Sequence, residues 1–118
     1  MPRSVLVELP AEASNVQILR VVTMSVAGGE APIDSVSDAG LAVDEAAALL
    51  LEVPGTSRLS ARINSGPHGV ELVLHGDASS DAWPPDGFEA SLASDVLNAL
   101  AHRVEFQSAG GAGILLEL

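Results

Sequence analysis

The stretch DSVSDAGLAVDEAAALLLEV, residues 34–53, decides how this chain is read. It predicts one long helix with two faces. At about 100° per residue, Val36, Ala39, Val43, Ala46, Ala47, Leu50 and Val53 share a broad apolar side fit for a core. Asp34, Asp38, Leu41, Glu45, Leu49 and Glu52 follow one another at spacings of three and four along a second stripe. That stripe is acidic but broken by two leucines. Asp34 or Ser35 is its expected N-cap, Asp34 and Asp38 favour the positive helix start, and Glu52 lies near the negative end. Pro54-Gly55 stops the helix.

Before this helix, Val5 to Leu9 alternates as a short strand that Pro10 ends. A second helix covers Val16 to Val26, with Ser14 or Asn15 as N-cap and Gly28-Gly29 as its stop. It is apolar nearly all round, which fits burial on two sides or a partner surface. Arg20 and Met24 are its candidate contact residues. After the long helix, Arg58 to Ser65 and Val70 to His75 alternate cleanly around the turn Gly66-Pro67-His68-Gly69, predicting a hairpin with one face on the core. Gly76 to Ser91 is irregular, with two prolines and the single Trp, the kind of long loop that carries contacts. Glu89 to His102 predicts a helix whose core side is Leu92, Ala93, Val96, Leu97 and Leu100. Two strands follow, Arg103 to Ser108, facing in through Val104 and Phe106, and Ile114 to Leu118. The element order predicts a single α/β (α+β) domain over residues 1–118. It is a two-layer sandwich of a mixed, mainly antiparallel sheet with about three helices on one face.

Composition narrows the function. The 118 residues are 47% hydrophobic but only 3% aromatic, so the core is aliphatic. Mean hydropathy is +0.35, outside the range of disordered chains. No cysteine is present, which excludes disulfides, thiol catalysis and a thiolate metal site, and fits a cytoplasmic protein. The first residues lack the apolar core of a signal peptide, and no apolar run approaches the roughly 18 residues of a membrane span. Sixteen acids stand against five arginines and no lysine, a net charge of −11. That bias repels phosphate backbones and argues against direct nucleic-acid binding. It fits a basic protein partner, or serves only solubility.

Motifs for chemistry are sparse. His68, His75 and His102 lack the spacing of metal ligands, so no metal site is expected. No G-x-S-x-G elbow marks a nucleophile. Gly110 to Gly113 precedes a strand rather than a helix and reads as a turn, not a phosphate loop. No carboxylate pair stands out from the general acid excess.

LAVDEAAALL, Leu41 to Leu50, resembles the first helical signature of the GHKL, or Bergerat-fold, ATPases. More narrowly it resembles the anti-sigma factors with a serine-kinase-like fold. The opening strand ending in L-P-A, the helix before the signature, the hairpin after it and the closing helix-strand-turn-strand also match, over nearly the whole chain. PPDGFEASLASDVLNALA, Pro84 to Ala101, is similar to actinobacterial members, and the alanine-rich, lysine-free composition fits a high-GC genome. The departures are specific. The family's magnesium-binding Asn is replaced by Leu49, and a His often found a few residues on is Val53. Where D-x-G-x-G reads adenine, Gly76 stands at the aspartate position and Asp77 one place late. Ser91-Leu92-Ala93 takes the place of a glycine turn under the phosphates. Glu45 matches the kinase base.

The resemblance therefore implies a degenerate anti-sigma factor that binds and sequesters a sigma factor, with Glu45 vestigial, ATP and magnesium binding lost, and no kinase activity. It further implies a homodimer, and release by an anti-anti-sigma antagonist of the STAS type docking near residues 76–91. There Trp83 and Phe88 are candidate contact anchors, or else staples of the loop to the core. The alternatives are an active serine/threonine kinase with an unusual site, or a domain reused for another protein or small ligand.

Overall fold

The computed structural model describes residues 3–29 and 31–118. Strand β1 runs Arg3–Pro10, helix α1 Ala13–Ala27 and helix α2 Ile33–Leu51. The hairpin β2 (Arg58–Gly66) and β3 (Gly69–Gly76) follows. After a loop ending in a 3-10 turn at Phe88–Ala90 come α3 (Leu92–Leu100), β4 (Arg103–Gln107) and β5 (Gly113–Glu117). The predicted elements are all present, and the strands are extended by a residue or two at most ends.

The sheet order is β1-β2-β3-β5-β4, and every neighbouring pair is antiparallel. The expected mixed sheet is thus corrected to a wholly antiparallel one. The reason lies in the connections. Between β1 and β2 the chain crosses the helical layer twice, through α1 and α2, and re-enters at the end where β1 left. Between β3 and β4 it crosses once, through α3, so those two strands run parallel. They are not neighbours, because β5 lies between them, antiparallel to both.

The register sorts the side chains into two faces. Val7, Ala61, Leu74, Ile114 and Phe106 form one cross-strand row toward the helices, and Val5, Ile63, Leu72, Leu116 and Val104 form the next. The central members of these rows are buried. The opposite face carries the row Leu6, Arg62, Val73, Leu115 and Glu105, and no described element covers it.

Helix α2 is the centre of the helical layer. It packs on β3 and β5 below and touches α1 and α3 on its flanks. Ala39, Val43, Ala46, Ala47, Leu50 and Val53 of the predicted apolar stripe are buried, and Val36 is half-buried. Ala42 and Gly40 are buried as well, because α1 lies close alongside. A Cβ at Gly40 would stand 2.7 Å from the Met24 Sδ, so the missing side chain is what lets α1 approach.

The helix starts differ from expectation. Helix α1 begins at Ala13 without a side-chain cap, and Asn15 Nδ2 donates instead to the Pro10 carbonyl at 2.9 Å. Helix α2 begins directly after Pro32, also without a side-chain cap. Helix α3 is shorter than predicted, because the Phe88–Ala90 turn and Ser91 precede it. Leu92, expected in the core, is 77% exposed. It is the first helical residue, and the inward positions fall to Ser94 and Leu97.

Candidate functional site

Glu45 and Leu49 lie one turn apart on α2 and meet different surroundings. Glu45 is half-buried and makes no described hydrogen bond or ion pair. Leu49 is 9% exposed. It lines a hollow of about 220 Å³ together with Val53, Pro54, Trp83 and Pro85, with Glu52 and Asp86 among the polar lining. The second stripe of α2 is therefore not one surface. Leu41 is exposed among the acids, whereas Leu49 belongs to the packing beneath the 76–91 loop.

Aromatic side chains hold that loop down. Phe106, facing the helices from β4, meets Trp83 edge-on at 5.4 Å and Phe88 edge-on at 4.8 Å between ring centres. The Trp83 indole N–H donates to the Gly113 carbonyl at 3.1 Å. Trp83 and Phe88 are 8% and 9% exposed. Both of the proposed contact anchors thus sit inward as staples. Edge-to-face pairs of this kind add about 0.5–1.5 kcal/mol each beyond the area they bury.

The remaining residues of the motif positions are occupied structurally. Gly76 ends β3, where its N–H donates to the Ala112 carbonyl at 2.9 Å. A Cβ there would come within 3.2 Å of the Thr56 methyl. Asp77 caps the turn between α2 and β2. It accepts from the Ser57 N–H at 2.8 Å, the Arg58 N–H at 3.1 Å and the Ser57 hydroxyl. These bonds, the Ser57 hydroxyl first, lower its pKa from 3.8 to about 2. Ser91 is the N-cap of α3, accepting from the Ser94 N–H at 3.2 Å and donating to the Phe88 carbonyl. Ala93 is half-buried and packs against the core. These positions flank the loop, but they do not converge on a shared ligand-sized space.

A nucleotide would ask this region for cations, backbone donors and a metal ligand. The hollow offers an aliphatic floor, an indole and two carboxylates. No described cation lines the hollow to meet a triphosphate, although its two carboxylates are of the kind that bind magnesium. Among the described residues no group of three His, Asp or Glu is placed to hold a metal ion.

The other candidate contacts lie on α1. Arg20 pairs with Asp44 of α2 at 3.2 Å, both side chains partly exposed, so the pair ties the helices together only weakly. Met24 covers Gly40 and is 37% exposed. Beside it Ile18 and Val21 are 49% and 55% exposed. The apolar excess of α1 therefore divides. Leu19, Val26 and Ala27 face the core, and Ile18, Val21 and Met24 form an outward stripe.

Sequence reasoning did not find the buried Ser94 or the role of Phe106. Phe106 had a signal: with only one Trp and two Phe in the chain, any aromatic cluster has to use these three. Ser94 had none, since its burial depends on where α3 begins. No helix among the described residues is long and apolar enough to cross a membrane. Comparison with protein-family models and with curated proteins gives no match.

Proposed function

We propose that the chain is an anti-sigma-factor-like regulatory protein of the degenerate serine-kinase-like GHKL type. It binds and sequesters a sigma factor in the cytoplasm without nucleotide and without phosphoryl transfer. The observation that carries this reading is the burial of the aliphatic Leu49, lining a hollow with Trp83 and Pro85, where the resemblance puts a metal ligand. Glu45 keeps the place of the base and makes no described hydrogen bond or ion pair. The lysine-free, acidic surface supports a basic partner, since the DNA-contacting surfaces of sigma factors are basic. The outward stripe Ile18, Val21 and Met24 supports self-association through α1 as a homodimer. An antagonist of the STAS type would then act on the 76–91 loop from outside, through Asp81, Asp86 or Glu89 rather than through the buried Trp83 and Phe88. The test is recovery of a tagged chain from its native cell with mass spectrometry of what accompanies it. A sigma factor in stoichiometric amount supports the proposal; its absence from every growth condition tried contradicts it.

A further inference from the structure

The free edge of β4 has a hydrogen-bonding pattern that can be read from the ladder. In antiparallel pairing each residue turns both its N–H and its C=O toward one neighbour, and the next residue turns both away. Val70 and Leu118 exchange both bonds, and the Gly76 N–H donates to Ala112. Counting in twos along that register, Leu116 and Ile114 bond toward β3. Gly113, Leu115 and Glu117 therefore turn toward β4, where they meet Gln107, Glu105 and Arg103. The N–H and C=O groups of Val104 and Phe106 are left on the outer edge. β4 is the last strand of the sheet, and no described residue bonds them.

Beside that edge, on the helix side, lies a groove of about 460 Å³ between β4, α3 and the Phe88 turn. Phe88, Val104 and Phe106 give it an apolar floor, and Ser94 adds a hydroxyl. Asp86 and Glu89 also line it. Both are exposed, and neither is ion-paired among the described residues.

We propose that this groove and edge form a docking site for an extended segment of another protein, added as a sixth strand beside β4. Its backbone pairs with Val104 and Phe106. Alternate side chains enter the groove, an apolar one over Phe88 and Phe106 and a lysine or arginine against Asp86 and Glu89. A second copy of this chain is the wrong occupant. Two β4 edges paired about a two-fold axis would bring both Asp86–Glu89 pairs to one seam with no cation between them. The site stands whether or not the partner is a sigma factor.

Selection of a displayed library of random twelve-residue peptides on the full chain tests it. The enriched peptides are expected to alternate apolar residues with lysine or arginine. They lose at least tenfold in affinity for the double variant Asp86→Lys, Glu89→Lys, whose exposed positions leave the fold intact. Amide exchange on the labelled protein gives the second readout. The Val104 and Phe106 amides exchange fast in the free chain, unlike Glu105 and Gln107, and become protected when an enriched peptide is added. No enrichment, unchanged affinity for the charge-reversed variant, or unprotected Val104 and Phe106 amides in the complex overturns the proposal.

Discussion

Replacing Leu49 by asparagine restores on paper the residue that the resemblance places there, and the structure says what it does instead. The Leu49 side chain is 9% exposed, belongs to the core cluster and lines a hollow with Trp83, Pro85 and Val53. Losing a buried leucine costs about 2 kcal/mol in transfer free energy. Burying an amide with few partners adds about 1 kcal/mol or more. The sum is about 3 kcal/mol. For a domain of 118 residues each kcal/mol moves the melting temperature by about 4 °C. Leu49→Asn is therefore expected to melt about 12 °C lower, by circular dichroism, than the parent. It is not expected to bind MgATP in calorimetry, since no described cation lines the hollow to meet the phosphates. An unchanged melting temperature would refute the packing argument. Micromolar MgATP binding by the variant would refute the claim that the hollow is unfit for a nucleotide.

Three further outcomes follow from other parts of the molecule. Val21→Asp, on the exposed stripe of α1, is expected to turn a dimer into a folded monomer by light scattering with helical content unchanged; a parent chain that is monomeric at high concentration contradicts the dimer. Asp77→Asn is expected to alter the acid limb of stability. The folded-state pKa of Asp77 is lowered to about 2, so its contribution is complete above the ordinary carboxylate range and fades as pH falls through that range toward 2. The variant should melt lower at neutral pH and converge with the parent in strong acid; parallel curves down to that pH would count against the cap. Gly69→Ala is expected to cost about 2–4 kcal/mol in urea unfolding, because φ is +138° and the new Cβ would lie 2.3 Å from the Leu118 carbonyl oxygen. Gly110→Ala, at φ +77° with open space around it, is expected to cost only about 1 kcal/mol; equal costs would remove the role assigned to the close approach at Leu118.

Much of the fold was legible because its signals are local. The alternation of Leu59, Ala61 and Ile63, and of Val70, Leu72 and Leu74, names the buried face of the hairpin without knowledge of its neighbours. The apolar stripe of α2 does the same for the helical layer. The sheet's direction was less legible, since nothing local in β5 says that it inserts between β3 and β4. Leu92 was misplaced for a similar reason. Its position on α3 depends on a preceding turn that Ser91 and the Phe88 carbonyl create together. At the candidate site, the sequence shows that Leu49 lacks a metal-binding atom, but not that the loop closes over it. That closure depends on Trp83 and Phe88 meeting Phe106, residues far apart in the chain. The edge groove beside β4 was invisible for the same reason: strand order alone makes β4 an edge.

On the proposed reading this scaffold holds a protein and not a nucleotide. Titrating the purified chain against each sigma factor of its native cell, with and without MgATP, tests it most directly. Saturable, submicromolar binding to one sigma factor is expected, with the same affinity and stoichiometry in both conditions. Binding that appears only with MgATP, or no binding to any sigma factor, contradicts that reading.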